Sequence, residues 1–254
     1  MKGMIFAAGL GTRLAPLTDT CPKALIPVGD KPMLRRVIER MREAGVADIV
    51  VNVHHHADMI KRYLRENDFG VSVRVSDESE ALLDTGGGVV KAMDMLAGDE
   101  PIMLYNADIY TTFPIGEMLS SYESSGADVV LLVGERDTSR YLLMDEDGYM
   151  RGWKNVSTGE VRSPEGVEVP EGCVPRAFGG VHIISPKVLD VLKEYKPEGK
   201  FSITPFYIDM CDRLKIRGYT PASGYSWIDI GKPETLAKAR EIAKMHDAEM
   251  GGRE

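Results

Sequence analysis

The sequence predicts an α/β protein: a doubly wound, mostly parallel, Rossmann-like sheet with a small lid region in its second half. Three observations carry this. Short apolar runs alternate with segments of helical period through the first half, which is the pattern of parallel strands joined by helices. Polar residues recur where those runs end, the place where open α/β sheets bind ligands. From about Tyr141 the texture changes to period-two alternation around turn residues, which marks hairpins.

In chain order, GMIFAA has the continuous apolar character of a strand buried on both faces. Met33 to Ala44 then places Leu34, Val37, Ile38 and Met41 on one helical face, with Arg35, Arg36, Glu39 and Arg40 expected opposite. DIVVNV (Asp48 to Val53) reads as the second strand and Ala57 to Glu66 as the second helix. VSVRV and PIMLY follow as strands, separated by a helix that starts near Gly87 and runs through Val90, Met93 and Leu96. PIGEMLSSYESSG adds a helix and ADVVLLVGE a strand. YLLMDEDGYMRGW turns at Glu146–Asp147–Gly148, and the glycine- and proline-rich span Ser163 to Pro175 reads as loop. FGGVHIIS is a strand, Pro186 to Tyr195 and Thr204 to Arg213 are helical, and IRGYTP and GYSWIDIG are two more strands. A charged helix closes the chain. No internal repeat suggests a division, so residues 1–254 are read as one domain with a core over 1–140, a second part over 141–235 and a helix over 236–254.

Composition narrows the function. At 254 residues with 43% hydrophobic residues, the chain can bury a substantial core. Its formal charge of −8 disfavours nucleic acid and anionic membranes as partners, because both need a basic face. An anionic ligand must then be held by local cations. Cys21, Cys173 and Cys211 are few and form no CxxC pair, so they read as the reduced thiols of a cytoplasmic protein. The opening MKGMIFAAG is too short and too soon interrupted for a secretory leader, and no other run could span a bilayer. The sequence does not indicate an oligomeric state.

The stretch AAGLGTRLAPLTDTCPKALIPVG, Ala7 to Gly29, is the first candidate site. A dinucleotide fingerprint would need a glycine where Leu14 stands and a helix where Pro16 and Pro22 interrupt one. A Walker A loop would need lysine after Gly11, where Thr12 and Arg13 stand instead. What remains is an open loop of backbone amides followed by Arg13 and Lys23. These are the parts of a phosphate cradle, or else of a flexible surface turn with incidental cations.

Asn106 and Asp108 follow PIMLY, and Asp229 lies in the apolar run SWIDIG. Aspartate is disfavoured in strands and costly to bury without a partner, and one partner that serves two such carboxylates is a divalent cation. Each aspartate alone reads equally as a cap or turn former. His54, His55 and His56 are adjacent, so their rings cannot converge on one ion, and a strand-end role is expected for them. LLDTGGGVVKA leads glycines into a helix, either to let a flat ligand approach or as a tight turn. Lys154 in GWKN is a second phosphate cation or a solvated hairpin lysine. Phe178, Gly179 and Gly180 form a sugar-sized gap or a sheet position packed against another backbone.

Taken together, AAGLGTRLAPLT with PKALIPV, LLDTGGG, the triplet Asn106 to Asp108, FGG at Phe178 to Gly180 and WIDIGKPET resemble the motifs of the sugar-1-phosphate nucleotidyltransferases, in the expected order over nearly the whole chain. The resemblance implies in-line attack of a sugar 1-phosphate on a nucleoside triphosphate, giving NDP-sugar and pyrophosphate with magnesium as cofactor. It implies Arg13, Lys23 and Asp108 as catalytic residues, and Asp108 with Asp229 as metal ligands. The nucleotide would meet Ala8, Gly9, Gly11, Thr12, Arg13, Lys23, Asp84, Thr85, Gly86, Gly87 and Asn106. The sugar phosphate would meet Asn106, Lys154, Gly179, Gly180 and Asp229. LLDTGGG is most similar to N-acetylmuramate 1-phosphate uridylyltransferases of peptidoglycan recycling. Mannose 1-phosphate guanylyltransferases and glucose 1-phosphate thymidylyl- or uridylyltransferases share most of the motifs, and a nucleotide-sensing module without turnover is a further alternative.

Overall fold

The apolar run GMIF folds as strand Lys2–Phe6, which lies parallel to Asp48–Val53, itself parallel to Ser72–Asp77. Met4 pairs with Val50 and Val51 with Val75. Strand Ile102–Asn106 is the neighbour of Lys2–Phe6 on its other side. Met4, Ile5, Ile49, Val50 and Val51 are wholly buried, which is why the centres of Lys2–Phe6 and Asp48–Val53 are continuously apolar instead of alternating, whereas Ser72–Asp77 is only partly buried. The expected α/β class and parallel sheet are found here.

The computed structural model describes residues 1–222 and 224–251, and the chain forms two compact units. The first is Met1–Leu82, Tyr105–Phe113 and Gly224–Glu254; the second is Leu83–Leu104 and Pro114–Ser223. Among the described residues no helix is long and apolar enough to cross a membrane.

In the first unit, helix Met33–Glu43 buries Leu34, Val37, Ile38 and Met41 as its period predicts. At about 1.5–3 kcal/mol per buried aliphatic side chain, that stripe fixes the helix against the sheet. Arg36 departs from the expectation that it faces solvent. Its Nε donates to Val28 O at 2.5 Å, and its two Nη atoms reach Asp247 at 3.0 and 2.5 Å, so its charge is buried with a partner. The hydrogen bond from Arg36 holds the Asp247 carboxyl below its ordinary pKa, against partial desolvation. Asp247 belongs to helix Pro233–Gly251, which begins three residues before the expected 236; residues 252–254 of the predicted helix lie outside the described residues. Arg240 on the same helix donates to Pro27 O at 3.0 Å, which fastens it to the hairpin of Pro27–Val28 and Lys31–Pro32.

Strand Trp227–Asp229 pairs antiparallel with Ile109–Thr111, with Asp229 opposite Ile109. This small ladder sets the position of the site.

The second unit also mixes helices and strands. Ile216–Tyr219 is parallel to Val129–Gly134, whose other neighbour, Val174–Ile184, is antiparallel. The predicted hairpin is present as Arg140–Met144 and Met150–Asn155, with Gly148 at φ +81 in its turn. Helices Ile115–Ser125, Lys187–Tyr195 and Ile203–Met210 match the helical segments, whereas the helix expected from near Gly87 through Leu96 begins three residues earlier and is broken at Ala92 into Asp84–Lys91 and Met93–Leu96.

Candidate active site

Strand Lys2–Phe6 delivers the loop that starts at Ala7, and that loop contains more helix than its prolines suggest. Short turns occupy Thr12–Leu14, Leu17–Thr20 and Lys23–Leu25, none longer than four residues. Pro16 and Pro22 immediately precede two of them, where a missing N–H costs nothing. Gly11 is required twice over: its φ is +68, and a Cβ there would lie 2.8 Å from Thr18 Cγ2. Thr18 Oγ1 donates to Gly11 O at 3.0 Å and pins the turn from below. Gly9, Thr12 and Arg13 remain exposed, whereas Ala8 is buried beneath them.

The turn that carries Lys23 brings its ammonium to the two aspartates. Lys23 Nζ lies 2.6 Å from Asp108 Oδ2 and 3.5 Å from Asp229 Oδ1. Arg13 Nη2 reaches Asp229 Oδ2 at 3.4 Å. The aspartates come together because Ile230 N donates to Asp108 O at 3.0 Å at the end of the ladder. Lys23 is nearly enclosed, with 11% of its side chain exposed, while Asp108 and Asp229 keep about a third. Two cations and two anions thus form one partly exposed cluster, which is an arrangement suited to exchanging ionic partners. Asn106, at the end of its strand, holds a buried Oδ1 with no hydrogen-bond partner among the described residues.

The remaining candidates lie in the second unit. Asp84 is exposed and takes φ +62 at the start of helix Asp84–Lys91, its Oδ1 accepting from Thr85 N at 2.6 Å. Thr85 Oγ1 accepts from Ile203 N at 2.9 Å. Gly86 and Gly87 do permit a close approach, but by the chain itself. A Cβ on Gly86 would lie 2.3 Å from the Phe201 ring and one on Gly87 2.3 Å from Gly199 O. Both amides donate to Phe201 O, at 2.9 and 3.2 Å. Lys154 is half-buried on strand Met150–Asn155, opposite Tyr141 and Val161. Gly179 lies against Leu132, where a Cβ would be 2.6 Å from Cγ, and Gly180 takes φ +73 within a register shift of strand Val174–Ile184.

The nucleotidyl transferase family profile matches residues 2–245. The chain belongs to that family. An N-acetylmuramate alpha-1-phosphate uridylyltransferase of Caulobacter vibrioides is 29% identical over 252 residues, covering 96% of this chain and 97% of its own. A mannose-1-phosphate guanyltransferase of Schizosaccharomyces pombe is 30% identical over 241 residues, covering 92% of this chain and 62% of its own. Among solved structures, a UDP-glucose pyrophosphorylase complexed with UDP-glucose has a TM-score of 0.74 at 22% identity, covering 97% of this chain and 99% of that one. HddC from Yersinia pseudotuberculosis has a TM-score of 0.72 at 24% identity, covering 94% and 98%. Family and curated relatives together make the chain a sugar-1-phosphate nucleotidyltransferase.

Around the candidate site of this nucleotidyltransferase stands a buried polar residue that the sequence reading did not single out, Asn52. Asn52 Oδ1 accepts from Ala7 N at 2.7 Å and anchors the start of the loop, and its Nδ2 donates to buried Glu78. A polar side chain within the apolar run DIVVNV was the available signal. The histidines divide among partners: His54 Nδ1 contacts Glu78 O at 2.6 Å and His56 Nε2 contacts Thr18 O at 3.3 Å. Gly231 gave no signal beyond following Asp229.

Proposed function

We propose that this nucleotidyltransferase joins UTP to N-acetylmuramate 1-phosphate, releasing pyrophosphate, with a divalent cation such as magnesium held by Asp108 and Asp229. The observation that carries the mechanism is Lys23 Nζ lying within 3.5 Å of both carboxylates. Oxygens of both groups already converge on one small cation. Two carboxylates with the remaining positions left to water and phosphate are the usual protein share of a magnesium site. When bound there, the metal supplies charge neutralisation for the transferred phosphoryl group.

The chain's own residues do the rest. The nucleophile is a phosphate oxygen that is already an anion, so the chemistry needs no general base. Its bond to the α-phosphorus forms as the bond to the bridging oxygen breaks, and pyrophosphate carries away the electron pair. What must be overcome is repulsion between polyanions and the charge gathered in the transition state. Arg13 and Lys23 supply fixed positive charge, and the exposed Gly9 to Arg13 segment supplies amides, for the triphosphate. Ala8 shapes the floor of that loop. Asp84 and Thr85, with the turn at Gly86 and Gly87, are assigned to the nucleobase. Asn106, Lys154, Gly179 and Gly180 are assigned to the sugar phosphate, where the unpartnered Asn106 Oδ1 would accept from a hydroxyl. The second aspartate, Asp229, serves both metal and sugar phosphate.

The choice of uridylyl and N-acetylmuramyl groups is supported by LLDTGGG and by the Caulobacter relative, matched over 97% of its own length. Trp153 in GWKN, where thymidylyltransferases carry glutamate, argues against thymidylyl transfer. Pyrophosphate release over a grid of nucleoside triphosphates and sugar 1-phosphates tests this. UTP with N-acetylmuramate 1-phosphate is the expected best pair; a clear preference for GTP with mannose 1-phosphate would overturn the substrate while keeping the mechanism.

A further inference from the structure

Gly231 stands two residues beyond Asp229, and its surroundings explain why no side chain occupies that place. Its φ lies outside the left-handed region, so the backbone alone would accept any residue. The constraint is space: a Cβ built there would lie 2.6 Å from Arg13 Nη2, 3.0 Å from Arg13 Cζ and 2.7 Å from Asp229 Oδ1. At the same time the Gly231 amide donates to Asp229 Oδ1 at 2.7 Å, while Arg13 holds Asp229 Oδ2. The guanidinium therefore rests against bare backbone beside the carboxylate it pairs with.

We propose that Gly231 is a positioning residue for Arg13. By omitting a side chain it provides the seat in which the guanidinium lies, and by donating its amide it sets the orientation of the Asp229 carboxylate. This rests on the reading of Arg13 as a triphosphate ligand. Arg13 comes from the first loop and Asp229 from near the other end of the chain, so the seat is what ties the cation of one to the acid of the other. The Arg13 side chain is 57% exposed and ends in a long flexible arm. A methyl group at position 231 can therefore displace it without disturbing the core, which moves a catalytic charge while leaving the fold intact.

The test is a double-mutant cycle of Gly231→Ala and Arg13→Ala, with Gly116→Ala as a control, since a Cβ at Gly116 meets nothing within 4 Å. Expected are an unchanged melting temperature for Gly231→Ala and a loss of about tenfold in kcat/KM, expressed mainly in KM for the nucleoside triphosphate. Arg13→Ala should lose ~10²-fold. The double variant should fall well short of the product of the two losses, because once the guanidinium is gone the added methyl meets only Asp229 Oδ1. Losses that multiply in the double variant, or a Gly231→Ala enzyme within twofold of wild type beside a crippled Arg13→Ala, overturn the proposal alone. A Gly231→Ala chain that loses its fold overturns it too, since the glycine would then serve packing. A silent Arg13→Ala overturns the reading of Arg13 and the proposal with it.

Discussion

Lys23 and Asp108 form the shortest ion pair of the site, at 2.6 Å, and the enclosure of Lys23 removes it from the class of exposed pairs that contribute almost nothing. The same ammonium is shared with Asp229. A divalent cation and Lys23 would thus draw on the same carboxylates, and binding of the metal must weaken the lysine's hold on them. Replacing Lys23 by Met removes the competing charge. Manganese binding without nucleotide, followed by paramagnetic resonance, should then become tighter, while pyrophosphate release falls ~10²-fold through loss of an electrostatic contact. Unchanged or weaker manganese binding would place the metal away from Asp108 and Asp229. Both aspartates were legible in the sequence, because an acid in an apolar run is an anomaly that needs a partner. Gly231 was not, because the clash it avoids involves a side chain from the first loop.

At the scale of elements, the loop after strand Lys2–Phe6 is held at two shoulders. Ala7 N is bound by Asn52 from the neighbouring strand, and Gly11 O by Thr18 from the short helix Leu17–Thr20. Asn52 and Glu78 are both buried, and Glu78 N in turn donates to Val53 O at 2.8 Å, which locks that corner of the sheet. Asn52→Ala removes the acceptor for a buried amide and one donor to Glu78. The expected cost is about 1–3 kcal/mol, measured by urea unfolding, with a raised KM for nucleoside triphosphate because the loop is released at one end. A variant as stable as wild type would show that water or Glu78 takes over the amide. Period and apolarity revealed the strand that carries Asn52 and the helix that carries Arg36. They could not reveal the burial of Arg36, whose partner Asp247 lies 211 positions away. A helical wheel places an arginine outward unless the distant acid that neutralises it is known.

For the whole molecule, legibility follows the same division between local and distant causes. Strand and helix identities come from local burial patterns, so Asp48–Val53 and Ala57–Glu66 fall where the sequence puts them. Within the first unit Trp227–Asp229 pairs with Ile109–Thr111, and within the second Gly86 finds Phe201 by packing; neither choice is written in any one segment. The response to acid depends on such packing as well. His182 is fully enclosed in the second unit, edge-on to Phe178 at 4.7 Å and with Nδ1 2.8 Å from the Tyr207 hydroxyl. Burial pushes its pKa down to about 3. An unfolded chain takes up this proton near the ordinary histidine value of about 6.5. Because the unfolded state then binds more protons, the stability present above about 6.5 is eroded as pH falls towards 3, at up to about 1.4 kcal/mol per pH unit for one proton. Carboxylate losses begin only as pH falls through the carboxylate range, so the window from about 6.5 to 4.5 isolates the imidazole. His182→Gln keeps a polar group beside Tyr207 but cannot titrate. Denaturant unfolding at a series of pH values should give a stability that declines through this window in wild type and a flatter profile in the variant. An equal slope in both would show that another group carries the acid sensitivity.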